Sequence, residues 1–464
     1  MKLSLPTDLT KGRPLPAIML YALPMLISMF FQQAYNLIDG WIAGRHIGSV
    51  ALGSVGACYP VTVFFIAIAS GLSLGASIFC SSEYGAKRYR QVRKAAATSL
   101  IAFIPLSLLL CAAGIGLTPY ILRWLAVPEE ALSATRDYLI IYLAGLPFLF
   151  LYNISNGILT GVGDSKTPLV FLIVSSSCNI VLDFAFVRIL PWGIRGLAFA
   201  TLTSQAIASF PALFAVKRVC RYMRPAEPVF PSKELFSSAL LRDILRLGIP
   251  SMLQHMFMSM GQLFLQSVIN GYGTAVMAGY SVSFRMNGIV INSLMALSNA
   301  LSGFIAQNMG AAKYKRVDQG VRISLGIAFL FSLLAVAVLL SGGKDILAFF
   351  VKDDTGRDAV LSAGLGFIRV VSPFYPLVCV KIISDGALRG IGAMTPFMAA
   401  TMSDVVVRLL CGSCFSARWG ICGVWAVWPL AWLVGTSMSV GFYLFFKRKK
   451  LSEAPDKGAP DVFL

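Results

Sequence analysis

The chain has 464 residues, of which 57% are apolar and only 13% charged, and its mean hydropathy is +0.75. A water-soluble domain carries about a quarter charged residues, so this composition excludes a polar outer surface and fits one that faces lipid. The net charge of +18 invites a nucleic-acid partner, and the placement of that charge argues against one.

In chain order, apolar stretches of roughly 20 residues recur, each able to cross a hydrocarbon core of about 30 Å as a helix. They lie near 16–43, 53–80, 95–117, 138–161, 168–190, 196–216, 244–270, 276–303, 323–341, 360–388, 395–417 and 421–445. The opening stretch, Met1 to Pro16, is polar and has no small-residue cleavage site, so the first span is expected to be retained. The expectation is an all-α integral membrane protein of twelve transmembrane helices. Most of the 39 Lys and Arg fall in alternate connections: the N-terminus, Lys87 to Lys94, Lys166, Lys217 to Arg242, Lys313 to Arg322, Arg389, and Lys447 to Lys457. This is the asymmetry of cytoplasmic loops. It predicts a multi-pass protein of the cell (inner) membrane with both termini in the cytoplasm, and the basic balance becomes a topology signal.

The chain also repeats itself. Pro24 through Gly85-Ala-Lys-Arg-Tyr-Arg-Gln-Val92 matches Pro250 through Gly310-Ala-Ala-Lys-Tyr-Lys-Arg-Val317. Gly157-Ile-Leu-Thr-Gly161, followed by Pro168, matches Gly386-Ala-Leu-Arg-Gly390, followed by Pro396, and Trp192-Gly-Ile-Arg-Gly196 matches Trp419-Gly-Ile-Cys-Gly423. Six helices per half keep the repeats in one orientation, as expected of two bundles related by a pseudo-twofold axis along the membrane normal. The expected organisation is an N-terminal lobe (1–216), a cytoplasmic linker (217–243), a C-terminal lobe (244–446) and a cytoplasmic tail (447–464). Leu235, Phe236, Leu240 and Leu241 suggest that the linker ends in a short amphipathic helix.

Ionisable side chains at mid-bilayer cost at least ~2.5–3.5 kcal/mol each, so those retained are functional candidates. Gln32, Tyr35, Asn36 and Asp39 form one polar stripe at helical spacing, and Ser175, Asn179 and Asp183 form a second. Asn153, Asn156 and Thr160 add to these, as do Thr201, Ser204 and Gln205. The functional reading is a cation site in the N-terminal half with Asp39 and Asp183 as its anionic members and Asn179, Asn156 and Thr201 as neutral oxygens. Two carboxylates in a low-dielectric site also favour proton uptake, while packing of neighbouring helices is the competing use of such groups. The matching helix of the second half carries Gln254, Met258, Gln262 and Gln266, with Leu265 about where Asp39 stands, so ion coupling is assigned mainly to the first half. Lys381/Asp385 and Asp404/Arg408 are i, i+4 pairs that neutralise each other locally or act in substrate binding or gating. Arg285 has no partner nearby in sequence, and His255 is either packed or a proton carrier. The nine cysteines fall mostly within spans, and Cys411-Gly-Ser-Cys414 reads as packing residues. Gly161 to Thr167 lacks the spacing of a phosphate loop and reads as a tight turn. No ATP site or cofactor is expected.

From Pro24 through Gln33-Ala-Tyr35-Asn36-Leu-Ile-Asp39-Gly40, then Ala43-Gly-Arg45, the sequence resembles the first helix of multidrug and toxic compound extrusion (MATE) transporters. Cys178-Asn179-Ile-Val-Leu-Asp183 resembles the fifth-helix motif of their bacterial DinF-like and MepA-like branch, and Gln307-Asn308-Met-Gly310-Ala the end of their eighth helix. The resemblance covers nearly the whole chain. It implies a secondary antiporter that exports organic compounds in exchange for H⁺ or Na⁺, and is not an enzyme. It places a cation site, with Na⁺ as a candidate ligand, on Asp39, Asn179, Asp183 and Thr201 or Thr203, with Asn156 nearby. Gln33, Tyr35, Asn36, Asn153, Gln254, Met258, Gln262 and Arg285 are the candidates for a substrate cavity. The expected partners are a small organic molecule and the lipid bilayer; the oligomeric state is open, with a monomer as the default. The rival reading is a lipid-linked oligosaccharide flippase, which would need more cationic cavity residues than this acidic first half offers, and a membrane receptor or scaffold gives the buried carboxylates no purpose.

Overall fold

A computed structural model describes residues 6–42, 47, 49–125, 127–223, 235–350 and 356–452. Gly40 and Asn36 belong to described helix, but their side chains lie outside the described residues, as do Ala43 to Arg45 and most of the expected linker and tail. The first half consists of α1 (Pro14–Ile42), α2 (Ser49–Gly85), α3 (Tyr89–Trp124), α4 (Glu129–Ala144), α5 (Leu146–Gly161), α6 (Lys166–Phe184) and α7 (Gly193–Tyr222). The second half repeats the series as α8 (Ser238–Asn270), α9 (Thr274–Gly310), α10 (Tyr314–Phe350), α11 (Arg357–Val371), α12 (Tyr375–Gly390) and α13 (Met394–Ser452).

Among the described residues, nine helices are long and apolar enough to span a bilayer, and ten if α4 and α5, bent by 44° at Gly145, count as one crossing. Two more crossings complete the twelve. Helix α13 is two helices joined at Gly420, whose φ of 59° is left-handed, and α8 carries the glutamines that lower its hydropathy. The linker does not end in a helix of its own. Leu240 and Leu241 are already part of α8, and the Leu235 carbonyl accepts a hydrogen bond from Thr98.

Close approach of small residues holds each bundle, as expected where lipid removes the hydrophobic drive between helices. Gly157 and Gly161 of α5 lie against the backbone of Ser73 and Ser77 on α2, and Gly386 and Gly390 of α12 lie in the same way on Ser298 and Ser302 of α9. The hydrogen bonds repeat with the glycines. Ser73 Oγ donates to the Asn153 carbonyl at 2.6 Å and Ser298 Oγ to the Ile382 carbonyl at 2.6 Å. Cys58 Sγ donates to Thr135 O at 3.7 Å, and its counterpart Ser283 Oγ to Gly364 O at 3.0 Å. The Trp-Gly motifs break the chain identically in both halves: Gly193 has φ +58° and Gly420 φ +59°. Trp192 there stacks on Phe186 at 5.0 Å, and Trp419 meets Phe415 at 4.6 Å.

The chain forms two compact units, one of residues 1–8 and Leu23–Leu253, the other of Leu9–Ala22 and Gln254–Leu464. Each half thus lends the start of its first helix to the other unit, a division the boundary expected at residue 244 does not contain. Within the first unit, the start of α8 rests on α2, with Gly71 against Met252 and Gly75 against Ile244 and Gly248. Within the second, Tyr21 of α1 lies on Gly303, and a polar clasp holds the segment before α1. Leu9 N–H donates to Gln307 Oε1 (2.9 Å), Asn308 Nδ2 to Leu9 O (3.3 Å) and Lys313 Nζ to Thr10 O (2.8 Å). Arg316 donates to the carbonyls of Leu9, Lys11 and Gly12. The Gln307-Asn308 motif is thereby given a structural task.

Because a Cβ at Gly157 would fall on the Ser73 carbonyl, Gly157→Val is expected to cost at least about 1–3 kcal/mol by overpacking. Gly116, with open space around it, serves as the control. Thermal unfolding of the detergent-solubilised variants should show a lower Tm for Gly157→Val and little change for Gly116→Val.

Candidate functional site

Five helices of the first unit bring the polar stripes together. Helix α1 supplies Tyr35 and Asp39, α4 supplies Tyr138 and Tyr142, α5 supplies Tyr152 and Asn156, α6 supplies Asn179 and Asp183, and α7 supplies Thr201. Asp183 and Asn179 are buried completely or nearly so. Asn179 sits one helical turn before Asp183, so their side chains share a face. With its amide set by the surrounding donors and acceptors, it donates to Asp183 Oδ2 at 3.0 Å and accepts from the Thr201 backbone N–H at 3.3 Å. The side chains of Asp39 and Asp183 lie close enough to interact directly. Two carboxyl groups this close in a low-dielectric site favour uptake of a shared proton.

The rest of the site is hydroxyls. Tyr35 lies beside the Thr201 side chain, whose hydroxyl donates to Leu197 O at 3.2 Å. Tyr138 lies close enough to Asp39 and Tyr35 to feel both electrostatically. Tyr152 is hydrogen-bonded to Asn156. Among the described residues, neither Asp39 nor Asp183 has a Lys, Arg or His ion-pair partner. Three acceptor oxygens are buried without any donor: Asp39 Oδ1, Asp183 Oδ1 and Asn156 Oδ1. Buried polar atoms are nearly always satisfied. A group of unsatisfied carboxylate and amide oxygens is the donor set that a proton or a hard monovalent cation requires. Among the described residues, no cluster of three or more His, Cys, Asp or Glu offers a transition-metal site.

The other sequence candidates are placed as follows. The Thr201 backbone N–H faces the Asn179 amide and its side chain lies beside Tyr35, whereas Thr203 makes no side-chain hydrogen bond among the described residues. Asn153 turns its amide back onto its own helix, donating to Leu149 O at 2.9 Å. Gln33 of α1 is exposed. In the second unit, Gln254 is buried and bonded to Met258 Sδ at 2.9 Å, while Gln262 and Arg285 are exposed. Sequence reasoning missed Tyr138 and Tyr142, whose i, i+4 spacing on α4 was the available signal.

The MatE family model matches residues 24–185 and 250–412, which is both repeats of this chain. The chain belongs to the MatE family. It is a transporter and not an enzyme. Among its relatives, the probable multidrug resistance protein YpnP of Bacillus subtilis is 28% identical over 97% of this chain and 99% of its own length. The multidrug export protein MepA of Staphylococcus aureus is 24% identical over 89% of each. The crystal structure of a MATE protein in its bent conformation superposes with a TM-score of 0.86 at 26% identity, covering 98% of this chain and 99% of that one. A likeness that runs end to end places the all-helical, two-bundle architecture within the family.

Loss of one hydrogen bond in the cluster costs about 1 kcal/mol, roughly a fivefold change in an equilibrium. Thr201→Val should therefore lower transport about fivefold or more, and Thr203→Val should leave it near the unsubstituted rate, measured as efflux from cells matched for expression.

Proposed function

We propose that this transporter is a secondary antiporter that exports organic compounds, drugs or toxic and cationic metabolites, in exchange for H⁺ or Na⁺ by alternating access. The observation that carries the reading is the buried Asp183 and half-buried Asp39, without a Lys, Arg or His partner among the described residues, whose Oδ1 atoms and that of Asn156 are three buried acceptors left unsatisfied. Such a site is stable only when something positive is seated in it, because an uncompensated charge in a low-dielectric interior is strongly disfavoured. Binding of a proton or Na⁺ and its release on the other side then couples the site to the ion gradient, and one charge moving through 100 mV supplies ~2.3 kcal/mol. Asp39, Asn179, Asp183 and Thr201 are the residues assigned to the ion, with Asn156 beside them. The names of the relatives, multidrug resistance and multidrug export proteins, support a broad organic substrate class. The repeated six-helix halves support exposure of one site to each side in turn.

The same reading places the protein in the cell (inner) membrane with both termini in the cytoplasm, supported by the basic residues of alternate connections. A flippase for lipid-linked oligosaccharides is disfavoured by the acidic character of the first unit's site, since a pyrophosphate headgroup needs cations there.

The test is transport in proteoliposomes with Na⁺ and H⁺ gradients imposed in turn. One of the two gradients is expected to drive substrate uptake into inverted vesicles, and Asp39→Asn is expected to abolish that dependence while leaving the protein folded and inserted. Full ion-driven transport by Asp39→Asn would remove the coupling role of the pair.

A further inference from the structure

The second unit also holds charges in mid-span, and it closes them. Lys381 and Asp385 lie one turn apart on α12, and Lys381 Nζ donates to Asp385 Oδ2 at 2.9 Å. Ser439 of α13 donates to the other oxygen, Oδ1, at 2.5 Å. On the first part of α13, Arg408 donates to both oxygens of Asp404 at 3.2–3.4 Å and lies over the Trp428 ring at 4.0 Å. All four charged side chains are about nine-tenths buried. Every carboxylate oxygen has a donor, and with the buried Arg389 beside Asp385 the two anions face three cations, of which Lys381 and Arg408 make the direct ion pairs. The two pairs are one network, because Asp404 and Arg408 also act electrostatically on Lys381. The ionisable groups next to it are Arg389, one turn beyond Asp385, which interacts with that carboxylate and is hydrogen-bonded to Ser298, and His255 of α8, close to Arg389.

The opposing helix is shaped for the lysine. A Cβ at Gly435 would meet Lys381 Cε at 2.6 Å, so the ammonium reaches Asp385 along a stem laid over a glycine. Lysines near bilayer interfaces ordinarily extend outward to water, and this one is held inward instead.

The repeat register gives the arrangement its meaning. The glycine pairs of α5 and α12, and the matching hydrogen bonds of Ser73 and Ser298, align Asn156 with Asp385 and Tyr152 with Lys381. Asp39 corresponds to Leu265, buried against α13, and Asp183, counted from the paired Pro168 and Pro396, corresponds to Cys411. At these aligned positions the first unit therefore has two acids, Asp39 and Asp183, and the unsatisfied amide oxygen of Asn156. At that amide's position the second unit has an acid that carries its own base.

We propose that Lys381 is the resident cation of the second unit: its ammonium holds the seat on Asp385 that a mobile ion would otherwise take, and so confines ion exchange to the first unit. The proposal rests on the reading of Asp39 and Asp183 as the coupling pair. A cation tethered by a four-carbon stem competes at a high effective concentration that an ion from solution does not match. An ion seat is consequently latent in the second unit and is blocked from within. Lys381 is thus a specificity residue that sets how many ions one transport cycle exchanges.

The experiment is the dependence of Tm on cation in purified protein, with Na⁺ titrated against choline at constant ionic strength and pH varied separately, since a ligand that binds only the folded state raises Tm saturably. Three proteins are compared: the unsubstituted chain, Lys381→Met, and Lys381→Met with Asp385→Asn. Lys381→Met is expected to add a second saturable Na⁺- or H⁺-dependent rise in Tm, which Asp385→Asn then removes. The same rise is expected when Lys381→Met is placed on Asp39→Asn/Asp183→Asn, a background expected to have lost the first. Lys381→Gln, which keeps a donor to Asp385 without the charge, stands in if the methionine variant does not fold. No added component in folded Lys381→Met or Lys381→Gln would overturn the proposal, as would an Asp385-dependent cation response while Lys381 is still present. Failure of the coupling reading looks different: the Asp39→Asn/Asp183→Asn protein would keep a cation dependence that Asp385→Asn does not touch, and the added component in Lys381→Met would still decide the role of Lys381.

Discussion

Within a bilayer, helices gain nothing by hiding apolar surface from water, because lipid is as apolar as they are. Backbone approach has to supply the cohesion, and here it comes from glycines on one helix facing serines on the next. Gly157 and Gly161 on Ser73 and Ser77, repeated as Gly386 and Gly390 on Ser298 and Ser302, bring α5 onto α2 and α12 onto α9 in a fixed register. The serine hydroxyls bonded to Asn153 O and Ile382 O pin that register. The polar side chains of α5 and α12 are placed by this contact. Asn156 lies one residue before Gly157, and Asp385 one residue before Gly386.

Much of this was readable from the residues, and the limits were physical. Span positions followed from hydropathy because the membrane imposes one length on every crossing. Helix α8 stood out least, since its glutamines dilute the signal, and the break within α13 showed only as a Trp-Gly echo of the earlier one. The stripes carrying Asp39, Asn179 and Asp183 were legible because 3.6-residue spacing fixes which side chains share a face. Their convergence with Thr201 rather than Thr203 was not, because adjacent candidates on a helix differ by rotation that only packing sets. Sequence assigned Asn156 to the cation site and Asn153 to a substrate cavity; the structure turns the Asn153 amide to Leu149 O and leaves the Asn156 oxygen without a donor. The i, i+4 pairs Lys381/Asp385 and Asp404/Arg408 form as their spacing indicates, while Ser439, 54 residues from Asp385, had no local signal.

Duplication gave two copies of one scaffold, and the copies differ most in electrostatics. At its mid-span site one keeps Asp39 and Asp183 without an ion-pair partner among the described residues; the other pairs Asp385 with Lys381 and Asp404 with Arg408 and lays that arginine against tryptophan. Aromatic packing follows the same division: Tyr280, Phe367, Trp425 and Trp428 form a continuous buried cluster in the second unit, while the first unit presents tyrosine hydroxyls to its carboxylates. Ion-paired acids in one copy and unmet acceptors in the other are a division of labour that a duplicated scaffold permits without changing its backbone.

The trading of helix beginnings between the two units has a consequence for how the chain is made. Leu9 finds its partner Gln307 only after 298 further residues, and a ribosome adding about 5–20 residues per second needs roughly 15–60 s to reach it. For that interval the leading segment waits in the nascent protein without its final neighbours. The start of α8, by contrast, emerges to find Gly71 and Gly75 already inserted. The segment before α1 is therefore fastened late, long after the start of α8 has met α2.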